Sequence, residues 1–357
     1  MHLLRLPPET LTQVFDQIGP SFFQEDLRRL AVCKQWLHYA LPVCYKCVLF
    51  SRGKLRGLIN SGVLEKPSAL QDSLETLEFK LERDKTSVSA SDTRDDAQDP
   101  NLPTASASDE AVGDDPATRW DEMLDSELRQ LALVTQQSHR LRTLRMRAWG
   151  SPSLGPLDTS EILLSIPTIR SLLSVENLRV LVLDLSVGFL KVPGEQGDGC
   201  HHICPAIGAL LHKLETLHLR MRSICPDALK PCGPSGRGSL SLSRVAINLS
   251  LISSLPGITS AAHSKRCGSQ GGGVVQLKAD ILEQAEVLAN QMASSKTVRI
   301  LTHSLPLLEI QSLDVLTGRT MVLDDDTAWD GDGKLIVEDS ESESELSDHE
   351  FATYLDD

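Results

Sequence analysis

Aromatic side chains are scarce in this sequence, 4% of 357 residues, so a core has to be assembled mostly from aliphatic ones. Long apolar runs are missing as well: no stretch reaches the roughly 18 to 20 residues that a membrane-spanning helix needs. No membrane partner is expected. The opening Met1-His2-Leu3-Leu4-Arg5-Leu6-Pro7-Pro8 has no apolar segment before its proline pair, which argues against a secretory signal. Eight cysteines spread thinly over the chain read as reduced thiols and not as a disulfide framework, so an intracellular location, cytoplasm or nucleus or both, is expected. Motifs of catalysis are lacking too: there is no P-loop, no dinucleotide-binding glycine pattern and no nucleophile elbow. Gly271-Gly272-Gly273 sits in a polar stretch without the Lys-Ser/Thr of a phosphate cradle. No catalytic residue is assigned, and no cofactor is expected.

The formal charge of −14 is unevenly placed. Residues 324–357 carry fourteen acidic side chains against one Lys, and 84–118 carry nine against two basic ones, which leaves a net +6 on the remainder. Both acidic segments are poor in large apolar residues, so they are expected to stay disordered. Acidic tails speak against nucleic acid as a partner, because phosphate backbones demand the opposite charge.

Outside those segments two patterns stand out. Near the start, Pro8 and Glu9 suit a helix first turn, Leu11, Val14, Phe15 and Ile18 fall at helical spacing, and Gly19-Pro20 stops the run. Leu27, Leu30 and Ala31, then Trp36, Leu37, Ala40 and Leu41, follow too closely for strands and hairpins, which predicts three short helices around one core. Further on, the pattern L-x-x-L-x-L recurs as Leu74-Leu77-Phe79, Leu141-Leu144-Met146, Leu178-Leu181-Leu183, Leu214-Leu217-Leu219 and, more weakly, Leu242-Val245-Ile247. Helices are expected between copies, at 121–137, 160–173 behind an Asp158-x-x-Glu161 cap, 203–213 and 276–295. The Gly/Ser-rich run 264–273 reads as a loop. One strand and one helix cannot cover their own apolar face, so the copies are expected to stack as parallel strands backed by helices, an irregular leucine-rich-repeat-like solenoid. A compact α/β domain whose strands are merely Leu-rich is the other architecture compatible with the pattern.

Leu6-Pro7-Pro8-Glu9-x-Leu11-x-x-Val14-Phe15-x-x-Ile18, then Asp26-Leu27-Arg28-Arg29-Leu30-Ala31-Val32-Cys33-Lys34-x-Trp36, then Tyr39-Ala40-x-Pro42-x-x-Tyr45, resembles the F-box over about residues 3–50. The resemblance implies docking to the Skp-type adaptor of a cullin-based SCF ubiquitin ligase through Leu6, Pro7, Leu11, Val14, Phe15, Leu27 and Trp36, with Leu6, Pro7, Leu11 and Phe15 the first choice for direct contact. A unit of about 45 residues buries too little surface to be secure alone, which agrees with a need for a partner. Residues 1–66 hold nine basic and five acidic side chains, a balance that would steer them toward an acidic adaptor surface. The later Leu214-x-x-Leu217-x-Leu219-Arg220-Met221-Arg222-x-Ile224-Cys225-Pro226 and Asp325-Asp326-x-x-Trp329-Asp330-x-Asp332-Gly333 are similar to fungal F-box proteins with degenerate leucine-rich regions, which implies recognition of a protein substrate.

The expected fold is thus α+β and multi-domain: a three-helix F-box at 1–50, a bridge and first strand at 51–83, an acidic insert at 84–118, an irregular α/β leucine-rich-repeat-like region with parallel strands at 119–323, and an acidic tail at 324–357. The expected role is non-catalytic, a substrate receptor; a scaffold that binds the adaptor outside any ligase, or one with a vestigial F-box, is the alternative.

Strand alternation then lines up an outward stripe of Glu78, Lys80, Arg145, Arg147, Trp149, Val182, Asp184, His218, Arg220 and Arg222. Arginine forks suit carboxylates and phosphates, so Arg145, Arg147, Trp149, His218, Arg220 and Arg222 are candidates for substrate contact; a merely solvated face is the competing reading. The acidic tail can dock on the same stripe, a merely solubilising tail being the competing reading, and Ser340, Ser342 and Ser347, each with Glu three residues on, are candidate phosphorylation sites. Cys200-His201-His202-x-Cys204 with Cys225 and Cys232 departs from usual zinc spacing, and Cys44-x-x-Cys47 reads as packed thiols, so no metal is expected. Cys33, His38 and Asp16 could be drawn as a triad, but packing explains Cys33.

Overall fold

Residues 5–62, 68–82, 116–149, 162–191, 202–232, 239–251, 262–268, 273–303, 309–324 and 327–336 are described by a computed structural model. Proline, which has no N–H to leave unsatisfied, opens α1 (Pro8–Ile18), and Gly19 closes it at φ +80°, a conformation glycine adopts without steric cost. Pro20 then starts a second helix at once, α2 (Pro20–Glu25), where the sequence pattern shows only a stop. Asp26 accepts the Arg28 N–H (3.0 Å) to open a 3-10 turn at Leu27–Leu30. Cys33, expected to be packed, is exposed and caps α3 (Lys34–Lys46) by accepting the Trp36 N–H at 3.4 Å. Leu11, Phe15, Phe23, Ala40, Val43 and Cys44 form a small core of their own. Phe15 meets the Trp36 ring edge-on at 4.6 Å, and the Trp36 indole N–H donates to the Arg29 carbonyl at 2.6 Å.

α3 runs straight into β1 (Cys47–Ser51), so the sheet begins inside the span read as the helical unit. There follow α4 (Arg52–Asn60), α5 (Ser68–Ser73), β2 (Thr76–Glu82), α6 (Pro116–Gln136), β3 (Thr143–Trp149), β4 (Ile162–Ser165), α7 (Ile166–Leu173), β5 (Val180–Leu185) and β6 (Gly188–Lys191). Then come α8 (Cys204–Leu210), β7 (Thr216–Met221), β8 (Ser223–Ile224), a 3-10 turn at Pro226–Leu229, β9 (Arg244–Asn248), β10 (Lys265–Arg266) and α9 (Val274–Ala289). The last strands are β11 (Thr297–His303), β12 (Ile310–Asp314), β13 (Thr320–Leu323) and β14 (Lys334–Leu335). α6 starts at Pro116, inside the segment read as acidic insert.

Ten strands form one sheet in the order β1-β2-β3-β5-β7-β9-β11-β12-β13-β14. The first seven are parallel, and β12 to β14 are antiparallel additions. The five L-x-x-L-x-L copies supply β2, β3, β5, β7 and β9, laid side by side with Leu77, Leu144, Leu181, Leu217 and Val245 in one register row. A second signature of one repeated geometry lies just before the strands. Glu75, Arg142, Arg179, Glu215, Ser243 and Lys296 each donate a backbone N–H to the equivalent residue of the preceding unit, at 2.7 to 3.0 Å.

Inward residues of the strands meet Leu55, Leu70, Leu124, Leu128, Ile169, Leu172, Ile207, Leu277 and Ile281 of the helices in one large core. Each such leucine or isoleucine contributes about 1.5 to 3 kcal/mol by leaving water. One difference from the sequence reading has a clear cause: Ile162–Ser165 pairs with Gly188–Lys191 as strand, and the helix expected from 160 begins only at Ile166, where Pro167 fits a first turn. Asp158 and Glu161 lie outside the described residues.

Candidate functional site

The face of the sheet turned away from the helices carries the polar stripe. Parallel register places Glu78, Arg145, Val182, His218, Ala246 and Arg299 in one row, and Lys80, Arg147, Asp184 and Arg220 in the next. Trp149 ends β3, and the Arg222 guanidinium lies 5.1 Å from the Phe189 ring.

Half of this face is closed by the chain itself. Arg220 donates from Nε and Nη2 to the two carboxylate oxygens of Asp184, both at 2.7 Å, and that carboxylate is almost wholly buried. The Trp329 ring covers the Arg220 guanidinium at 5.0 Å and stands 6.2 Å from the His218 ring. Asp330 lies 3.8 Å from His218 Nε2 and 4.0 Å from Arg244, while Arg299 donates to the Asp332 carboxylate at 2.8 Å and to the Gly331 carbonyl. The small Ala246 leaves room for Trp329, which packs with it beside Leu301, Leu323 and Ile310. Burial pushes the His218 imidazole below its ordinary range; Asp330 opposes this, and Arg145 and Arg244 add to it.

Two expectations change accordingly. Arg220, read as free to meet a substrate, is paired with Asp184, because an in-register parallel sheet sets residues of successive copies side by side, and Trp329 covers both it and His218. The acidic tail, read as disordered from 324, is folded at residues 327–336, with Lys334–Leu335 added to β13. Ser340, Ser342 and Ser347 lie outside the described residues. What stays open on this face is the β2–β3 half: exposed Lys80 with half-buried Arg145 and Arg147, neither arginine forming an ion pair among the described residues.

Gly333 shows how closely the segment is seated, since a Cβ there would fall 2.2 Å from the Val322 carbonyl oxygen and 2.8 Å from Leu323 Cδ2. Gly333→Ala is expected to lift residues 327–336 off the sheet, read as a gain of about tenfold or more in their amide hydrogen exchange with little change elsewhere. Unaltered protection there would contradict the docking.

The helical unit sorts its seven candidate residues by burial. Leu11 (1% exposed) and Phe15 (0%) are core and cannot be first-choice contacts, because they fill the interior of a unit too small to spare them; Val14 and Trp36 are half-buried. Leu6, Pro7 and Leu27 are exposed, and the structure adds Phe22, Val32 and Leu37. The sequence carries no signal that singles these three out, since helical spacing alone does not say which apolar residues lack room inside.

Among the described residues one group of three or more His, Cys, Asp or Glu side chains could hold a metal ion: His202, Cys204, Cys225 and Cys267. Cys267 stands where the sequence suggested Cys232, which is exposed and whose thiol donates to the Lys230 carbonyl at 3.7 Å. Hydrogen bonds from Cys204 and Cys267 hold the Cys225 thiol well below its ordinary range, while those same contacts and burial push Cys204 up. Cys200 and His201 lie outside the described residues. Cys44 belongs to the helical core, where burial pushes its thiol up, and Cys47 opens β1. No protein-family model matches the chain, and no curated protein matches it.

Proposed function

We propose that this chain is the substrate-binding subunit of a cullin-based ubiquitin ligase, docking a Skp-type adaptor through its N-terminal F-box-like helical unit. The observation that carries the reading is where apolar surface stays exposed. Five of the thirteen large exposed apolar side chains among the described residues, Leu6, Phe22, Leu27, Val32 and Leu37, fall within the first 37 positions. They project from a unit whose own core holds six buried residues, and a few such anchors dominate binding when a partner covers them. The parallel strands then act as a leucine-rich-repeat-like platform, with Lys80, Arg145 and Arg147 facing an acidic segment of the substrate. Asp330 and Asp332 support that choice, being acidic side chains already seated on the same face. The chain supplies proximity and orientation, and the chemistry belongs to other subunits.

The test is affinity purification of the intact protein from cells. Adaptor and cullin are both expected to come down with it and both to be lost with Leu27→Asp/Val32→Asp, two substitutions at positions 64% exposed and therefore tolerated by the fold. Recovery of adaptor without cullin would contradict the ligase role and leave the scaffold.

A further inference from the structure

We infer that His202, Cys204, Cys225 and Cys267 form a structural zinc site of the three-thiolate, one-imidazole type. Their donor atoms all lie within 4.8 Å of one another. The sulfurs of Cys204 and Cys267 are 3.8 Å apart, and Cys225 Sγ is 3.7 Å from His202 Nδ1. A tetrahedral zinc ion with bonds of about 2.3 Å to sulfur and about 2.05 Å to nitrogen places its donors about 3.8 Å (S to S) and about 3.6 Å (S to N) apart. Two opposite edges of the coordination tetrahedron thus have the expected length, and the other four are at most 4.8 Å. Thiolates with an imidazole are soft donors that select zinc over magnesium or calcium, and four protein donors fit a closed, structural ion.

The fold shows why a clamp is needed here. β8 and β10 pair over two residues only, Ser223 with Lys265 and Ile224 with Arg266. A two-stranded ribbon of that length is not stable by itself. Cys225 and Cys267 follow these two strands directly, and the Cys267 N–H donates to the Ile224 carbonyl at 3.3 Å. Cys204 opens α8, and Arg170 of α7 fixes the main chain beside it by donating to the His202 carbonyl at 3.1 Å. One ion would therefore join a helix start and two strand ends. Twenty residues separate Cys204 from Cys225 and forty-one separate Cys225 from Cys267, so beyond His202-x-Cys204 the set shows no paired-ligand spacing in the sequence.

The experiment measures metals in the full chain, purified under reducing conditions without chelator. Zinc at about one atom per chain is expected. After stripping, Co2+ is expected to restore visible bands of tetrahedral cobalt with thiolate charge transfer in the near ultraviolet. Cys225→Ser/Cys267→Ser should lose both signals and Cys232→Ser should keep them. Because the double variant can misfold, the cobalt titration of the unaltered chain decides on its own. A folded, reduced chain that carries no zinc and gives no cobalt bands overturns the site, as does stoichiometric zinc retained by the double variant or stoichiometric iron or copper in its place.

Discussion

Asp184→Ala is expected to cost about 3 to 5 kcal/mol of folding stability, because it leaves the Arg220 guanidinium buried beneath Trp329 without its counter-charge. The pair is two-pronged, with the Asp184 side chain 6% and the Arg220 side chain 18% exposed, so water replaces few of the lost contacts. Asp184→Asn, which keeps one acceptor, should lose less. Replacing both residues by leucine should recover much of the loss, since a buried pair is dearer to break than to exchange for apolar contact. Urea unfolding monitored by circular dichroism reads the difference. A cost below about 1 kcal/mol would mean a solvated pair. In that event Arg220 would be free for a ligand after all.

Gly208→Ala is expected to be comparably severe, at or above the upper end of the roughly 1 to 3 kcal/mol typical of overpacking. A Cβ at this position would lie 2.4 Å from the Lys230 carbonyl oxygen and 2.5 Å from that of Asp227. Both are backbone atoms of the 3-10 turn region after Cys225, so no side chain can swing aside; α8 or the turn must move. That displacement would also part Cys204, at the head of α8, from Cys225. A fall in melting temperature of several degrees, together with lower zinc content, is the expected reading. An unchanged melting temperature would show that the helix and the turn are not in close contact.

The strand platform was largely legible because each of its five copies repeats the same apolar spacing, and the helices α6, α8 and α9 fell between copies where a crossover requires them. β1 was not, since Cys47-Val48-Leu49-Phe50 continues α3 without a turn residue to mark the change of period. β11 escaped because Ser295 stands where the other copies have leucine, three residues before Val298. Alternation put Glu78, Lys80, Arg145, Arg147, His218 and Arg220 on one face, as the register has them, but it could not say what covers that face: Trp329, Asp330 and Asp332 reach it from more than a hundred residues beyond His218 and Arg220. Asp184 and Arg220, thirty-six residues apart, are one repeat step from each other, so their pairing was implicit in the in-register stacking. Cys267 had no such signal, since it lies in a Gly/Ser-rich stretch and meets Cys204 and Cys225 only through β10 and its pairing with β8.

The most direct measurement is calorimetric titration of a purified Skp-type adaptor into the intact chain. A one-to-one complex is expected, weakened by about a hundredfold or more in Leu27→Asp/Val32→Asp while the melting temperature of the free chain is kept. No heat of binding with the unaltered chain, or equal affinity for the doubly substituted one, would contradict the account.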